Sequence, residues 1–388
     1  MKFLPMAAAC ALLAVPLTAC SLTQSNSNDG SRSDGPIKVT SSDSACTLST
    51  TKVGSGRVTF TIKNTGSKVT EFYLYAEDGK RIVGEVENIG PGLTRDLVVS
   101  ATPGTYVTAC KPGMQGEGIR GTLTVTDSGR TSSVADVDQE TLQKATSSYA
   151  DYVKKEAGDL LTQTSAFATA YEAGQDAKAK ALYATARQHW ERIEPVAESF
   201  GDLDPKMDLR EADLEQGQKW TGWHRIEKDL WPPAGKGYQP LTKAERTTYG
   251  DDLLANTRTL HARVQTQTYD VTQLGNGSKE LMDEVATGKI TGEEEVWSHT
   301  DLYDFQANVD GAKEAFELLE PILAVKDHAL EEQIDERFDD LQKLLDQYKQ
   351  VDGFVSYDTV TDAQRKQLSD AVNALSEPLS KMTGAVTQ

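Results

Sequence analysis

The hydrophobic period of this 388-residue chain changes once, and no other feature limits its fold as much. Before residue 128, apolar and β-branched residues recur at every second position. Beyond residue 137 they recur at alternating steps of three and four. The first pattern belongs to strands with one buried face, the second to helices with one apolar stripe. Residues 128–137, mostly polar, read as a hinge between an all-β part and an all-α part.

In the first part, IKVTSS, CTLST, RVTFTIKN, VTEFYLYA, RIVGEVEN, LTRDLVVS, TYVTAC and RGTLTVTD are separated by NTGS, EDGK, PG and SG turns. Eight strands between residues 37 and 127 predict a Greek-key β-sandwich. In the second part, Tyr183, Ala186, Trp190, Ile193, Ala197 and Phe200 form one seam. Leu330, Ile334, Phe338, Leu341, Leu345 and Tyr348 form another. Helices are expected near 138–172, 175–200, 216–230, 242–272, 278–288, 300–325, 327–351 and 362–383, with loops at 231–240 and 274–277. Thr242 and Thr361 have the spacing of helix caps. The expected architecture is an antiparallel helical bundle over 128–388.

The N-terminus MKFLPMAAACALLAVPLTAC has one basic residue, an apolar run and then Leu17-Thr18-Ala19-Cys20. This reads as a signal peptide over 1–19. The residues before Cys20 resemble a bacterial lipobox, which implies lipidation at Cys20 and anchoring at the outer face of the cell membrane. Residues 20–36, rich in Ser, Asn, Asp and Gly, read as a flexible tether. Cys46 and Cys110 then remain, in an oxidising compartment. A formal charge of −19 argues against nucleic acid as a partner, since phosphate binding needs a basic face.

Residues 187–231 concentrate the chemistry. His224 and Glu227 are three apart, so on a helix both reach the same ion, or they form a plain surface pair. Glu191, Glu194 and Glu198 follow at i, i+3 and i+7, a spacing that also suits a solvated face. Asp202, Asp204, Asp208, Glu211 and Asp213 crowd the next segment, where some of them would serve as helix caps. His299, Asp301 and Asp304 stand at another helix start, as ligands or first-turn acids. A zincin peptidase needs H-E-x-x-H, whereas Arg225 follows His224 and residue 228 is Lys228.

Three segments carry a family resemblance: ARQHWERIEPVAESFGDLDP, GWHRIEKDLW and SHTDLYDFQANVDGA. Together they resemble the EfeO-type component of bacterial iron-uptake systems. In that family a cupredoxin-like domain precedes an imelysin-like helical domain with a G-x-H-x-x-E signature, here Gly222 to Glu227. The resemblance implies a metal site at His224 and Glu227, with Glu194 and Asp208 as further ligands and His299 and Asp301 next. It implies no catalysis. The cargo would be iron, ferric or ferrous, although copper or zinc would suit such donors too. Implied partners are a membrane iron permease and an exported haem peroxidase of the dye-decolourising type. The alternatives are a metal-dependent hydrolase and a structural or polysaccharide-contacting surface lipoprotein.

GTYVTACKPGM is similar to the Cys…Met loop of cupredoxins, but no histidine precedes His189, so a blue-copper centre is not expected. Two readings stay open. One is a thiolate–carboxylate site of Cys46, Cys110 and Glu71 for copper or iron, and the other is a Cys46–Cys110 disulfide.

Overall fold

The computed structural model describes residues 35–79, 81–114, 116–128, 139–214, 216–235 and 237–387. The signal peptide, Cys20, nearly all of the tether and most of the hinge lie outside the described residues. Nine strands follow in the N-terminal part: β1 (Ile37–Ser41), β2 (Cys46–Leu48), β3 (Lys52–Gly54), β4 (Gly56–Asn64), β5 (Thr70–Tyr75), β6 (Ile82–Ile89), β7 (Thr94–Ala101), β8 (Gly104–Cys110) and β9 (Ile119–Thr126). They form two sheets, in the orders β2-β1-β4-β7 and β3-β9-β8-β5-β6. The inward positions Val58, Phe60, Ile62, Phe72, Leu74, Leu97, Val99 and Leu123 fill the space between the sheets. All eight expected strands are present. The ninth, β3, has only three residues and no alternation to read, and it is held by parallel pairing with β9.

Helices make up the rest: α1 (Gln139–Glu172), α2 (Asp176–Glu191), α3 (Asp204–Met207), α4 (Trp223–Leu230), α5 (Lys243–Val264), α6 (Val271–Thr287), α7 (Asp301–Lys326), α8 (His328–Leu345) and α9 (Asp362–Val386). Both expected seams are buried in one core that spans the bundle. Thr242 and Thr361 each complete a capping box, as their spacing predicts.

Several expected boundaries move, each for a local reason. The helix expected over 175–200 ends at Glu191, and a 3-10 run covers Glu194–Leu203. Pro195 supplies no N–H and disfavours helical backbone at Glu194 before it. The helix expected over 216–230 starts only at Trp223, because Gly222 is left-handed at φ 87°. A Cβ on Gly222 would come 2.1 Å from the Met207 carbonyl oxygen, so only glycine lets α4 start there. The expected helix over 242–272 stops at Val264, and the next begins behind an Asp270 capping box. The helix expected to reach 351 stops at Leu345 and gives way to a hairpin of Lys349–Gln350 and Gly353–Phe354.

The expected loop at 274–277 is wrong: those residues lie inside α6. Their glycines permit close approach of elements rather than a turn. A Cβ on Gly277 would lie 1.8 Å from the Pro195 carbonyl oxygen, and one on Gly275 would lie 2.4 Å from Thr383 Oγ1. Gly277→Ala is therefore expected to push the 3-10 run away from α6 and destabilise the chain by about 1–3 kcal/mol, read by urea unfolding. An unchanged midpoint would mean that this contact is looser than it stands here.

The sandwich and the bundle belong to one compact unit. Asn276 Nδ2 donates to the Val98 carbonyl at 2.8 Å, the Ser100 N–H to Thr272 Oγ1 at 3.2 Å, and Arg57 Nε to Thr387 Oγ1 at 3.0 Å.

Candidate metal centre

α4 is two turns long, and its apolar positions Trp223, Ile226 and Leu230 are buried in the bundle core. That packing carries His224 and Glu227 inward as well, leaving His224 1% exposed and Glu227 fully buried. Four carboxylates surround the imidazole. Asp208 and Glu294 lie 3.4 and 3.5 Å from Nε2, and Glu227 and Glu295 lie 3.4 and 3.9 Å from Nδ1. These separations are long for hydrogen bonds. They match two donors held about 2.1 Å from one ion at about 109°, which stand about 3.4 Å apart. Nε2 is buried and has no hydrogen-bond partner. Two ligand-spaced sets result, Asp208–His224–Glu294 and His224–Glu227–Glu295, with His224 common to both.

The surroundings fix these donors. Glu227 Oε1 accepts the backbone N–H groups of Trp297 and Ser298 at 3.0 and 2.7 Å. Glu295 accepts from the Tyr183 hydroxyl at 3.2 Å and the Ser298 hydroxyl at 2.7 Å. Trp190 Nε1 donates to Asp208 at 2.8 Å. Arg187, fully buried on α2, reaches Asp208, Glu191, Glu294, Glu295 and Asp304. Lys289 bonds Glu191 at 2.9 Å and Glu194 at 2.7 Å. Acid outnumbers base in this cluster: Arg187, Lys289 and His224 face Glu191, Glu194, Asp208, Glu227, Glu294, Glu295 and Asp304.

That imbalance sets the protonation pattern. Burial, with Glu227 beside it, pushes the Glu295 carboxyl well above the carboxylate range. Burial does the same for Asp304, only partly offset by Arg187, and raises Asp301 to about 7. Against its own burial, Asp208 is carried well below the usual range by Arg187 and His224. Glu294 is likewise held down at about 2 by Lys289 and His224. Burial and Arg187 favour a neutral His224, yet the facing Asp208, Glu227 and Glu294 outweigh them and hold its pKa well above the histidine range. The pocket thus carries protons that a metal cation can displace.

Comparison with known proteins gives this geometry its context. The imelysin family description matches residues 145–382, and a cupredoxin-like domain matches 9–125. An iron uptake system component EfeO of Escherichia coli O157:H7 is 36% identical over 356 residues, covering 90% of this chain and 91% of that protein. The chain belongs to the imelysin family, as an EfeO-type member. An Efem/EfeO family lipoprotein of Staphylococcus haemolyticus is 47% identical over 250 residues, covering 63% of this chain and 84% of that protein. The EfeO of Yersinia pestis is 37% identical over 353 residues, covering 90% of this chain and 91% of that protein.

In this EfeO-type chain the structure brings His224, Glu227 and Asp208 together, but it places Glu194 on the far side of the cluster. Glu194 accepts from Lys289 and from Asn308 Nδ2 at 2.6 Å, and it joins no ligand-spaced set with His224 among the described residues. The expected stripe of Glu191, Glu194 and Glu198 does not exist, because the helix ends at Glu191. Asp301 Oδ1 accepts the Glu295 N–H at 3.2 Å, so Asp301 braces the segment that carries Glu295. His299 takes a left-handed backbone at φ 57° and shapes the turn into α7. Glu294 and Glu295 were not singled out by spacing. Their only sequence signal is the run Gly292-Glu293-Glu294-Glu295, in which the two residues sit on a non-helical segment and are nevertheless buried.

The thiolate–carboxylate site is overturned. Cys46 and Cys110 form a disulfide that ties β2 of one sheet to β8 of the other, so neither sulfur is a free thiolate. Glu71 is engaged elsewhere: its carboxylate lies 3.0 Å from the Tyr73 hydroxyl and 4.0 Å from Lys111 Nζ.

Proposed function

We propose that this chain captures iron outside the cytoplasm and passes it to a membrane permease. The observation that carries this reading is a buried imidazole flanked by four carboxylates at 3.4–3.9 Å, within a cluster that holds more acid than base. Such a donor set suits a hard cation, and ferric iron is the harder of the two oxidation states. The relatives named as iron uptake components support iron as the cargo. In this reading His224 anchors the ion through one ring nitrogen, with Asp208 and Glu294 at Nε2 or Glu227 and Glu295 at Nδ1, and Glu194 serves as counter-ion to Lys289. The role is binding rather than catalysis.

Export and anchoring through Cys20 would hold the loaded protein beside the permease and raise its effective concentration there. The relatives named as lipoproteins and the Cys46–Cys110 bond support an exported chain. No helix of the described residues is long and apolar enough to cross a membrane. An exported haem peroxidase would be the further partner. Cells lacking this chain should take up radiolabelled ferric iron slowly, with the rate restored by the wild-type gene and not by His224→Ala. Equal rescue by both would overturn the reading.

A pH dependence follows from the same groups. The pKa values of His224 and Glu295 are raised, so both hold protons near neutrality, and the ion must displace them. Affinity should therefore rise with pH between about 5 and 8, with at least about one proton released per ion. Calorimetric titration in two buffers of different ionisation enthalpy reads that number directly. Identical heats in both buffers would mean that the binding groups are already deprotonated.

A further inference from the structure

We propose a second cation site, bridging the β-sandwich and the helical bundle through Glu85, Glu198 and Glu280. Glu85 comes from β6, Glu198 from the 3-10 run and Glu280 from α6. One carboxylate oxygen of each lies within 4.8 Å of the other two. Glu85 is 7% exposed, and its Oε2 is buried without a hydrogen-bond partner. A carboxylate oxygen in that condition costs free energy unless a cation or a proton meets it.

No protein cation fills the role. Among the described residues, no lysine, arginine or histidine nitrogen lies within 4.0 Å of any of the three carboxylates. Lys279 is committed to Asp283 at 2.5 Å, and Lys111 lies over the Tyr73 ring, on the Glu71 side. Burial raises all three carboxyl groups well above their ordinary range, Glu198 and Glu87 push Glu85 further, and Glu85 and Glu198 stand close enough to share a proton that an entering cation would displace. The neighbouring space is open to an ion. A cavity of about 520 Å³ between the two parts is lined by Glu85, Glu280, Asp96 and Asp283, with Arg95 and Lys381 also on its wall.

The donors are all oxygen, so the site takes a hard cation of charge two or more, and three carboxylates neutralise a trivalent one. Because Glu85 stands on one part and Glu198 and Glu280 on the other, the ion would fasten the sandwich to the bundle. Few direct hydrogen bonds otherwise join them. This site is independent of the His224 centre and shares no residue with it.

Terbium(III), a hard trivalent ion with sensitised luminescence, is the probe for the two-domain chain. Wild type should bind about two ions, and His224→Ala/Glu227→Ala should retain one. Glu85→Gln and Glu198→Gln, each alone, should remove the retained ion with at least a tenfold loss of affinity. These substitutions keep the shape of each side chain, and circular dichroism checks that the fold persists. Loss from either side alone establishes a bridge. If His224→Ala/Glu227→Ala binds no terbium, or binds it equally well with Glu85→Gln added, the site does not exist. Either result would leave the iron reading of His224 untouched.

Discussion

His224→Ala is expected to abolish saturable ferric iron binding while leaving the bundle folded. The imidazole is the one donor common to both ligand-spaced sets, so its removal leaves only carboxylates, three of them held by Arg187. Changes around a metal ligand typically cost about 10–100-fold in affinity, and loss of the shared ligand should exceed that. The fold should survive, because α4 is anchored by Trp223, Ile226 and Leu230, and Arg187 and Lys289 remain to offset the buried carboxylates. Glu194→Gln is the informative control. It breaks an ion pair with Lys289 rather than a ligand, so it should lower stability more than affinity. The measurement is calorimetric titration with ferric citrate, with circular dichroism of each variant. Wild-type binding at about one ion per chain that survives in His224→Ala would move the centre away from α4. No wild-type binding at all would remove the iron reading.

The periodic parts of this fold were legible because burial writes its period into the sequence. The strands Ile37–Ser41 and Gly56–Asn64 alternate, and the seams from Tyr183 to Phe200 and from Leu330 to Tyr348 lie in the core. What failed were places where one residue type does two jobs. Gly275 and Gly277 have the composition of a loop, yet they serve inside α6 as the notch that admits Pro195 and Thr383. Pro195 lies within an unbroken apolar seam, although it ends the helical path that would have aligned Glu191, Glu194 and Glu198. Those three acids instead separate, to Arg187, to Lys289 and to the neighbourhood of Glu85. In the site itself, the H-x-x-E spacing found His224 and Glu227 because both share a helix turn. Arg187, Glu294, Glu295 and Asp304 approach from other elements, and no spacing within one helix can show a contact made between several. Burial of Glu294 and Glu295 is set by tertiary packing, which composition does not record.

Arg187→Met should give the largest loss of stability. Arg187 is 0% exposed and stands among Asp208, Glu191, Glu294, Glu295 and Asp304, while its aliphatic stem is close to methionine in volume. The substitution therefore keeps the packing of the stem and deletes the charge. Removing one partner from a buried ion pair costs about 3–5 kcal/mol, because the other charge is left uncompensated. The pH dependence separates this cause from a packing defect. Asp208 is depressed by Arg187, so its contribution is present above its unfolded value and is lost as pH falls through its lower folded value. Without Arg187 that contribution disappears, and Asp304 and Glu295, already raised, are raised further. A carboxyl whose folded pKa is raised destabilises the fold as pH climbs past its unfolded value. The variant should accordingly be most stable at a lower pH than wild type, and its deficit should shrink on acidification from about pH 7 to 5. Bound cation should narrow the gap as well, since carboxylates freed from Arg187 attract the ion more strongly and mass action then stabilises the variant more than wild type. Thermal unfolding at the two pH values, with and without ferric citrate, tests both effects. A deficit that is the same in all four conditions would show that Arg187 acts through packing alone, and the acidic pocket would not depend on its charge.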